Sequence, residues 1–364
     1  MSRSTRLDRM RQGMAAAGLD AMLLSLGADL PWLTGYEAMP LERLTMLVVP
    51  LDETPVLVVP QLEAPRVEED PAIFALRPWS ESEDPVRLVA DLVGARRRLA
   101  IADRTWATFV LGLQSVMPGA TWQRASTITG PLRAVKDDAE IDALAAASGA
   151  ADRVAAALIG GQIPLIGRTE RAVSAHIGRL LVDEGHQRVN FAIVGGGPNS
   201  ASPHHEAGGR VIGSAESVVC DFGGTMGGYC SDITRTVFTG SPPAEFVELY
   251  SVLEEAQAHA VAGSQVGARC ESVDAIARQE ITAAGYGDAF IHRTGHGIGL
   301  EEHEDPYIVT GNREVLQAGN VFSVEPGIYL SGRYGARIED IVVAANDGPR
   351  PLNSVCHRLT CLDG

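Results

Sequence analysis

The chain has 364 residues, 45% of them apolar and 21% charged, enough for a full hydrophobic core and two domains of ordinary size. Its net charge of −16 argues against nucleic acid or an anionic membrane as partner, because phosphate binding needs a concentrated basic surface, and the cluster Arg96, Arg97 and Arg98 reads as a helix end. The opening MSRSTRLDRMRQG lacks the apolar core of a secretory signal and no run approaches the roughly 20 apolar residues that span a bilayer, so a cytoplasmic location is expected.

Leu7, Met10 and Met14 recur at helical spacing up to Gly18, and DAMLLSL then reads as a buried strand. LTMLVVP and PVLVVP, separated by LDET, read as a hairpin; RLAIAD is a further strand before a short helix at residues 105–115. This is a small α/β unit. In TWQRASTITGPLRAVKDDAE the apolar periodicity lapses around Gly130 and Pro131, and the boundary is drawn there, giving domains 1–127 and 128–364. Beyond it, AEIDALAAASGAADRVAAALIGG and RTERAVSAHIGRLLVDEG are amphipathic helices, followed by strands in VNFAIVGGG, ESVVCDFGG and YCSDITRTVFTG. Two more helices, PAEFVELYSVLEEAQAHAVAG and ESVDAIARQEITAAG, precede a histidine-rich block, and VFSVEPGIYL with RIEDIVVAAN close the chain as strands. Helices and strands come in runs, so the second domain reads as α+β. The five cysteines are odd in number and show no CxxC spacing, which reads as reduced, mostly buried thiols.

Chemistry concentrates in this second domain. Asp221 and Asp232 flank one glycine-rich turn, Glu325 and Glu339 flank another, and each acid borders an apolar strand. Two hairpins of this kind can each deliver two carboxylates to one face. Singly, each acid has a bland reading: aspartate beside glycine forms turns, and Glu339 can pair with Arg337. Together they carry four negative charges, which an interior tolerates when cations of similar total charge lie among them. His296, flanked by glycines that would let the backbone approach a metal centre, supplies a nitrogen ligand. Carboxylate-rich sites with one imidazole suit manganese, iron, cobalt or zinc better than magnesium.

With these residues in view, NSASPHH, VVCDFGGTMGGYCSDITRTV, HRTGHGIGLEEHEDP, SVEPGIYL and ARIED occur in the order of the proline-specific metallopeptidases. The chain resembles a two-domain Xaa-Pro dipeptidase or aminopeptidase P of the pita-bread fold, including a creatinase-like N-terminal domain with ADLPWLTGY. The resemblance implies two divalent metal ions, Mn2+ first and Co2+, Zn2+ or Fe2+ as alternatives, held by Asp221, Asp232, His296, Glu325 and Glu339. Asp232 and Glu339 match the bridging carboxylates, Asp221 the ligand of one ion, and His296 with Glu325 those of the other. A bridging hydroxide would attack the scissile carbonyl. His204 and His303 match groups that contact the substrate carbonyl, Glu325 the proton shuttle, and Tyr329 and Arg337 supporting groups. His205 is expected to face solvent, and Thr234 and Thr236 to support Asp232.

Two departures bear on specificity. Glu302 adds charge beside His303 where many relatives are apolar, and Tyr307 stands where some dipeptidases carry an arginine for the free carboxylate of a dipeptide. Arg313, the N-terminal domain or a second subunit would then compensate. The expected activity is hydrolysis of the bond between an N-terminal residue and proline, with Xaa-Pro dipeptides favoured on the compact length. Aminopeptidase P acting on longer peptides is the alternative, and a non-catalytic binding protein of the same fold a distant one. The resemblance also implies a homodimer.

Overall fold

The computed structural model describes residues 1–362. Two compact units make up the chain, Met1–Arg133 and Ala134–Gly364. In the first, a six-stranded mixed sheet runs in the order Ala75–Trp79, Val56–Pro60, Met46–Pro50, Ala21–Leu24, Arg98–Ile101, Thr121–Arg124. Leu23, Val48 and Leu99 from this sheet pack against Val89, Val93 and Leu113 from the helices Pro85–Val93 and Ala107–Val116. The first helix, Arg3–Ala16, is capped by the Ser2 hydroxyl and buries Leu7, Met10 and Met14, the triplet its sequence spacing marks.

The stretch where periodicity lapses is not irregular. It holds the edge strand Thr121–Arg124 and a helix, Ser126–Ala134, with Pro131 inside it. Thr129 and Arg133 of this helix both bond the Asp29 carboxylate, at 2.9 and 2.8 Å, which ties the helix into the first unit. The division between units therefore falls after Arg133, later than the residue 127 drawn from composition.

The second unit is α+β. One sheet contains Arg188–Gly196, Glu216–Met226, Ile233–Thr239 and Thr360–Leu362, with Tyr229–Cys230 paired to the second of these. Another runs Glu304–Ile308, Gly295–Gly297, Val321–Val324, Asp340–Ala345, Gly348–Pro351. Helices Asp138–Ile159 and Glu170–Asp183 pack on the first sheet through Val218, Cys220, Phe222, Ile233 and Val237. Ala244–Gly263 and Cys270–Ala283 pack on the second through Phe322, Val324, Val342 and Ala344. Strand side chains alternate between faces, so burying these apolar positions under helices sends residues 221, 232, 234, 323, 325 and 339 to the opposite faces. Among the described residues all five cysteines are free, with Cys220, Cys230 and Cys270 buried, and no helix is long and apolar enough to cross a membrane.

Candidate metal centre

Each acid pair comes from one antiparallel hairpin. Asp221 pairs in register with Thr234, and Asp232 lies two residues before Thr234, so the two aspartates share a face. In the second hairpin the ladder of Val324 with Asp340 and that of Gly327 with Arg337 keep a single register, which sets Glu325 opposite Glu339 between them. An isolated bridge between Thr234 and Glu339 joins the hairpins. Asp221, Asp232, His296 and Glu339 are all buried, and Glu325 is partly so.

His296 sits on the short strand Gly295–Gly297, opposite Tyr307. Its glycine neighbours serve the sheet rather than the metal face. A Cβ on Gly295 would lie 1.8 Å from the Ser323 carbonyl oxygen, and one on Gly297 2.2 Å from that of Asp305. Nδ1 of His296 donates to the Gly297 carbonyl at 3.1 Å, which leaves the lone pair of Nε2 facing Oε1 of Glu325 at 3.2 Å and Oδ2 of Asp232 at 3.7 Å. Acceptors facing acceptors call for a cation between them. Ligand atoms of Asp232, His296 and Glu339 all lie within 4.8 Å of one another. Oδ1 of Asp221, Oδ1 of Asp232 and Oε1 of Glu339 are buried without any hydrogen-bond partner, a costly state that divalent cations would relieve.

Electrostatics point the same way. Burial, reinforced by the neighbouring carboxylates, pushes Asp232 and Glu339 well above the usual carboxylate range. Burial also raises Asp221, although Arg337 opposes it. Glu325 goes the other way: burial would raise it, but the hydrogen bond and charge of a protonated His296, standing in for a cation between the two side chains, lower it to about 2. The residues present therefore fit a pair of divalent ions better than they fit each other.

The supporting contacts differ in part from those the sequence suggests. Arg337 pairs with Asp221 rather than Glu339, and donates from Nη1 to the Tyr329 hydroxyl at 2.8 Å and from Nε to the Thr234 hydroxyl at 3.0 Å. Thr234 donates to Oε2 of Glu339 at 2.6 Å, and the Thr236 hydroxyl bonds the backbone of Arg337, so neither threonine side chain serves Asp232. His292, to which the sequence assigns no role, donates from Nδ1 to the Arg293 carbonyl at 2.7 Å and takes the Tyr329 hydroxyl on Nε2 at 2.9 Å. His205 is not solvent-facing. It lies 2.9 Å from the buried Glu170 carboxylate, while His204 is the exposed one of the pair.

A cleft of about 840 Å³ opens over the centre, and both His204 and His303 line it. The His303 ring lies 3.9 Å from that of His296, and burial, with the nearby Arg293 charge, lowers its pKa to about 4. Glu302 lines the cleft as well. Arg313 does not: its side chain is 81% exposed and lies 4.0 Å from Glu271. Residues absent from the sequence reading also line the cleft, among them Phe191, Ile193, Ile291 and Arg293. The two-residue spacing of Phe191 and Ile193 in a strand is a signal that could have marked an apolar wall.

Comparison with known proteins places the chain in a family. Residues 141–346 match Metallopeptidase family M24 and residues 6–135 match the Creatinase/Prolidase N-terminal domain. A "Probable dipeptidase PepE" of Mycobacterium bovis is 44% identical over 350 residues, covering 95% of this chain and 92% of the relative. An "Xaa-Pro dipeptidase" of Lactobacillus helveticus is 36% identical, covering 94% of this chain and 95% of the relative. The crystal structure of a prolidase from Thermococcus sibiricus superposes with a TM-score of 0.95 at 35% identity, covering 100% of both chains. The buried acids and the histidine at the meeting of two hairpins thus sit in a pita-bread catalytic domain that follows a creatinase-like one in the sequence, and the chain belongs to metallopeptidase family M24.

Proposed function

We propose that this metallopeptidase is an Xaa-Pro dipeptidase, releasing proline from dipeptides with an unmodified N-terminal residue. The observation that carries the metal-dependent reading is the set of three buried carboxylate oxygens without partners, on Asp221, Asp232 and Glu339, beside an imidazole whose Nε2 faces Asp232 and a fourth carboxylate, Glu325. Asp221, Asp232, His296, Glu325 and Glu339 would hold two divalent ions, with Asp232 and Glu339 as the carboxylates shared by both. Manganese suits this oxygen-rich set with one nitrogen. Bound there, the ions would supply Lewis acidity, lowering the pKa of a water and polarising the scissile carbonyl.

The side chains then divide the remaining work. His204 and His303, lining the cleft, donate hydrogen bonds to the carbonyl oxygen as negative charge develops on it. Glu325, ionised at rest, takes up the proton that the attacking water gives up and passes it to the departing prolyl nitrogen. Arg337 and Thr234 keep Asp221 and Glu339 in position, and Tyr329 locks Arg337. Free thiols throughout the described residues support a cytoplasmic setting, and a homodimer is part of the same reading.

Purified protein stripped of metal and reloaded with Mn2+ should release proline from Leu-Pro. Cleavage of Arg-Pro-Pro with no turnover of Leu-Pro would identify an aminopeptidase P instead. Failure to take up metal would point to a binding protein.

A further inference from the structure

Two arginines line the cleft, and they are in different states. Arg337 is buried and committed to Asp221, Thr234 and Tyr329. Arg293 meets no carboxylate among the described residues. Its guanidinium lies over the Tyr307 ring, 4.6 Å from the centroid, and its one hydrogen bond is from Nη2 to Nδ1 of His303 at 3.4 Å. Stacking on an aromatic face fixes the plane of a guanidinium and leaves the N–H groups along its edge free to bind. Tyr307 is itself held in place, because its strand pairs it with His296 and its carbonyl accepts from Asn312 at 2.7 Å. A cation stacked in place and without a carboxylate partner among the described residues thus stands at a cleft that also carries the carboxylates of Asp221, Asp232, Glu302, Glu325 and Glu339.

From this we infer that Arg293 binds the C-terminal carboxylate of the substrate and thereby restricts the enzyme to dipeptides. The inference rests on the dipeptidase reading and names the residue that would enforce it. The geometry suits a substrate ending one residue after the scissile bond. The His303 ring lies 3.9 Å from that of His296, and Arg293 is hydrogen-bonded to Nδ1 of His303. Successive Cα atoms are about 3.8 Å apart, so a dipeptide with its scissile carbonyl at the centre carries its carboxylate about one imidazole's width away. A longer peptide would put a neutral amide there and leave the guanidinium without an anion. The same arrangement explains how the chain manages with tyrosine at position 307: the ring becomes the platform on which an arginine from a neighbouring segment is presented.

The test compares kcat/KM of the Mn2+-loaded enzyme for Leu-Pro and for Leu-Pro-amide, which differ only in the carboxylate. The wild-type chain is expected to prefer the free acid by about 10- to 100-fold, the range of a charge-assisted hydrogen bond. Arg293→Ala should bring that ratio near unity through KM for Leu-Pro, and Arg293→Lys, which keeps the charge without the fork, should retain part of it. The wild-type comparison needs no variant to fold. Equal use of acid and amide by the wild type, or a full preference surviving in Arg293→Ala, would overturn the assignment while leaving Xaa-Pro hydrolysis intact. Hydrolysis of neither peptide would sink the dipeptidase reading, and this inference with it.

Discussion

Thr234 and Glu339 belong to different hairpins, yet the Thr234 hydroxyl donates to Oε2 of Glu339 at 2.6 Å while accepting from Nε of Arg337 at 3.0 Å. One hydroxyl thus orients a carboxylate and anchors the arginine that pairs with Asp221. Thr234→Val, similar in shape but without the hydroxyl, should weaken metal binding by roughly 10- to 100-fold, as loss of a ligand-orienting hydrogen bond does. Competition titration with a chromogenic chelator measures this. Unchanged affinity would mean that backbone pairing alone holds Glu339.

Crowded buried carboxylates destabilise the protein when no cation is bound. Its melting temperature should rise on adding Mn2+, by the equivalent of about 4 kcal/mol at a thousandfold excess over Kd. Asp232→Asn removes one of the clustered charges, so the variant should melt higher than the wild type in chelator and gain little when metal is added. Calorimetry with and without Mn2+ reads both effects, and a full metal-dependent gain in the variant would exclude Asp232 as a ligand.

His303 lines the cleft without joining the acid cluster. Its replacement by alanine should lower kcat by about 100-fold or more, the usual cost of removing a transition-state donor, while leaving metal content near two ions per chain. Elemental analysis beside kinetics separates these outcomes. Loss of the metals would place His303 among the ligands.

Away from the centre, Asp274 is buried on the helix Cys270–Ala283 and accepts from Arg278, Thr310 and both the backbone and hydroxyl of Thr294. Burial alone would raise its pKa, but these hydrogen bonds prevail and the carboxyl is held below its ordinary value. A folded-state pKa below the unfolded one stabilises the fold above the unfolded value, near 3.9, and that stability is lost as the pH falls through the folded value. Asp274→Asn should therefore cost about 1.5–3 kcal/mol at pH 7, with the difference shrinking below about pH 4. Urea titrations at the two pH values test the sign, and a penalty independent of pH would show that the amide loses packing rather than charge.

Much of the second unit is legible because its signals are local. Alternation in SVVCDFGG and VFSVEP identifies strands with one apolar face, and an acid at the end of each apolar run marks where that face changes environment. The helix Ser126–Ala134 is not legible in this way. Gly130 and Pro131 read as breakers, and the helix is held instead by Asp29, about a hundred positions upstream. Tertiary contacts override propensity there.

The roles of Arg337, Thr234 and Arg293 fall outside local reading for the same reason. Arg337 is close in sequence to Glu339 but bonded to Asp221, 116 positions away. Arg293 stands inside a motif that draws attention to its histidines, and its lack of a carboxylate partner among the described residues shows only when Tyr307 and His303 are folded against it.

By itself, the sequence determined which residues can carry charge and nitrogen donors and which face of each strand they occupy, because backbone periodicity and burial of apolar side chains act over a few residues. Only the tertiary structure decided which acid meets which partner and which are left without one. A pairing across more than a hundred residues depends on how two hairpins and a bridge bring their faces together, and no local spacing encodes that distance.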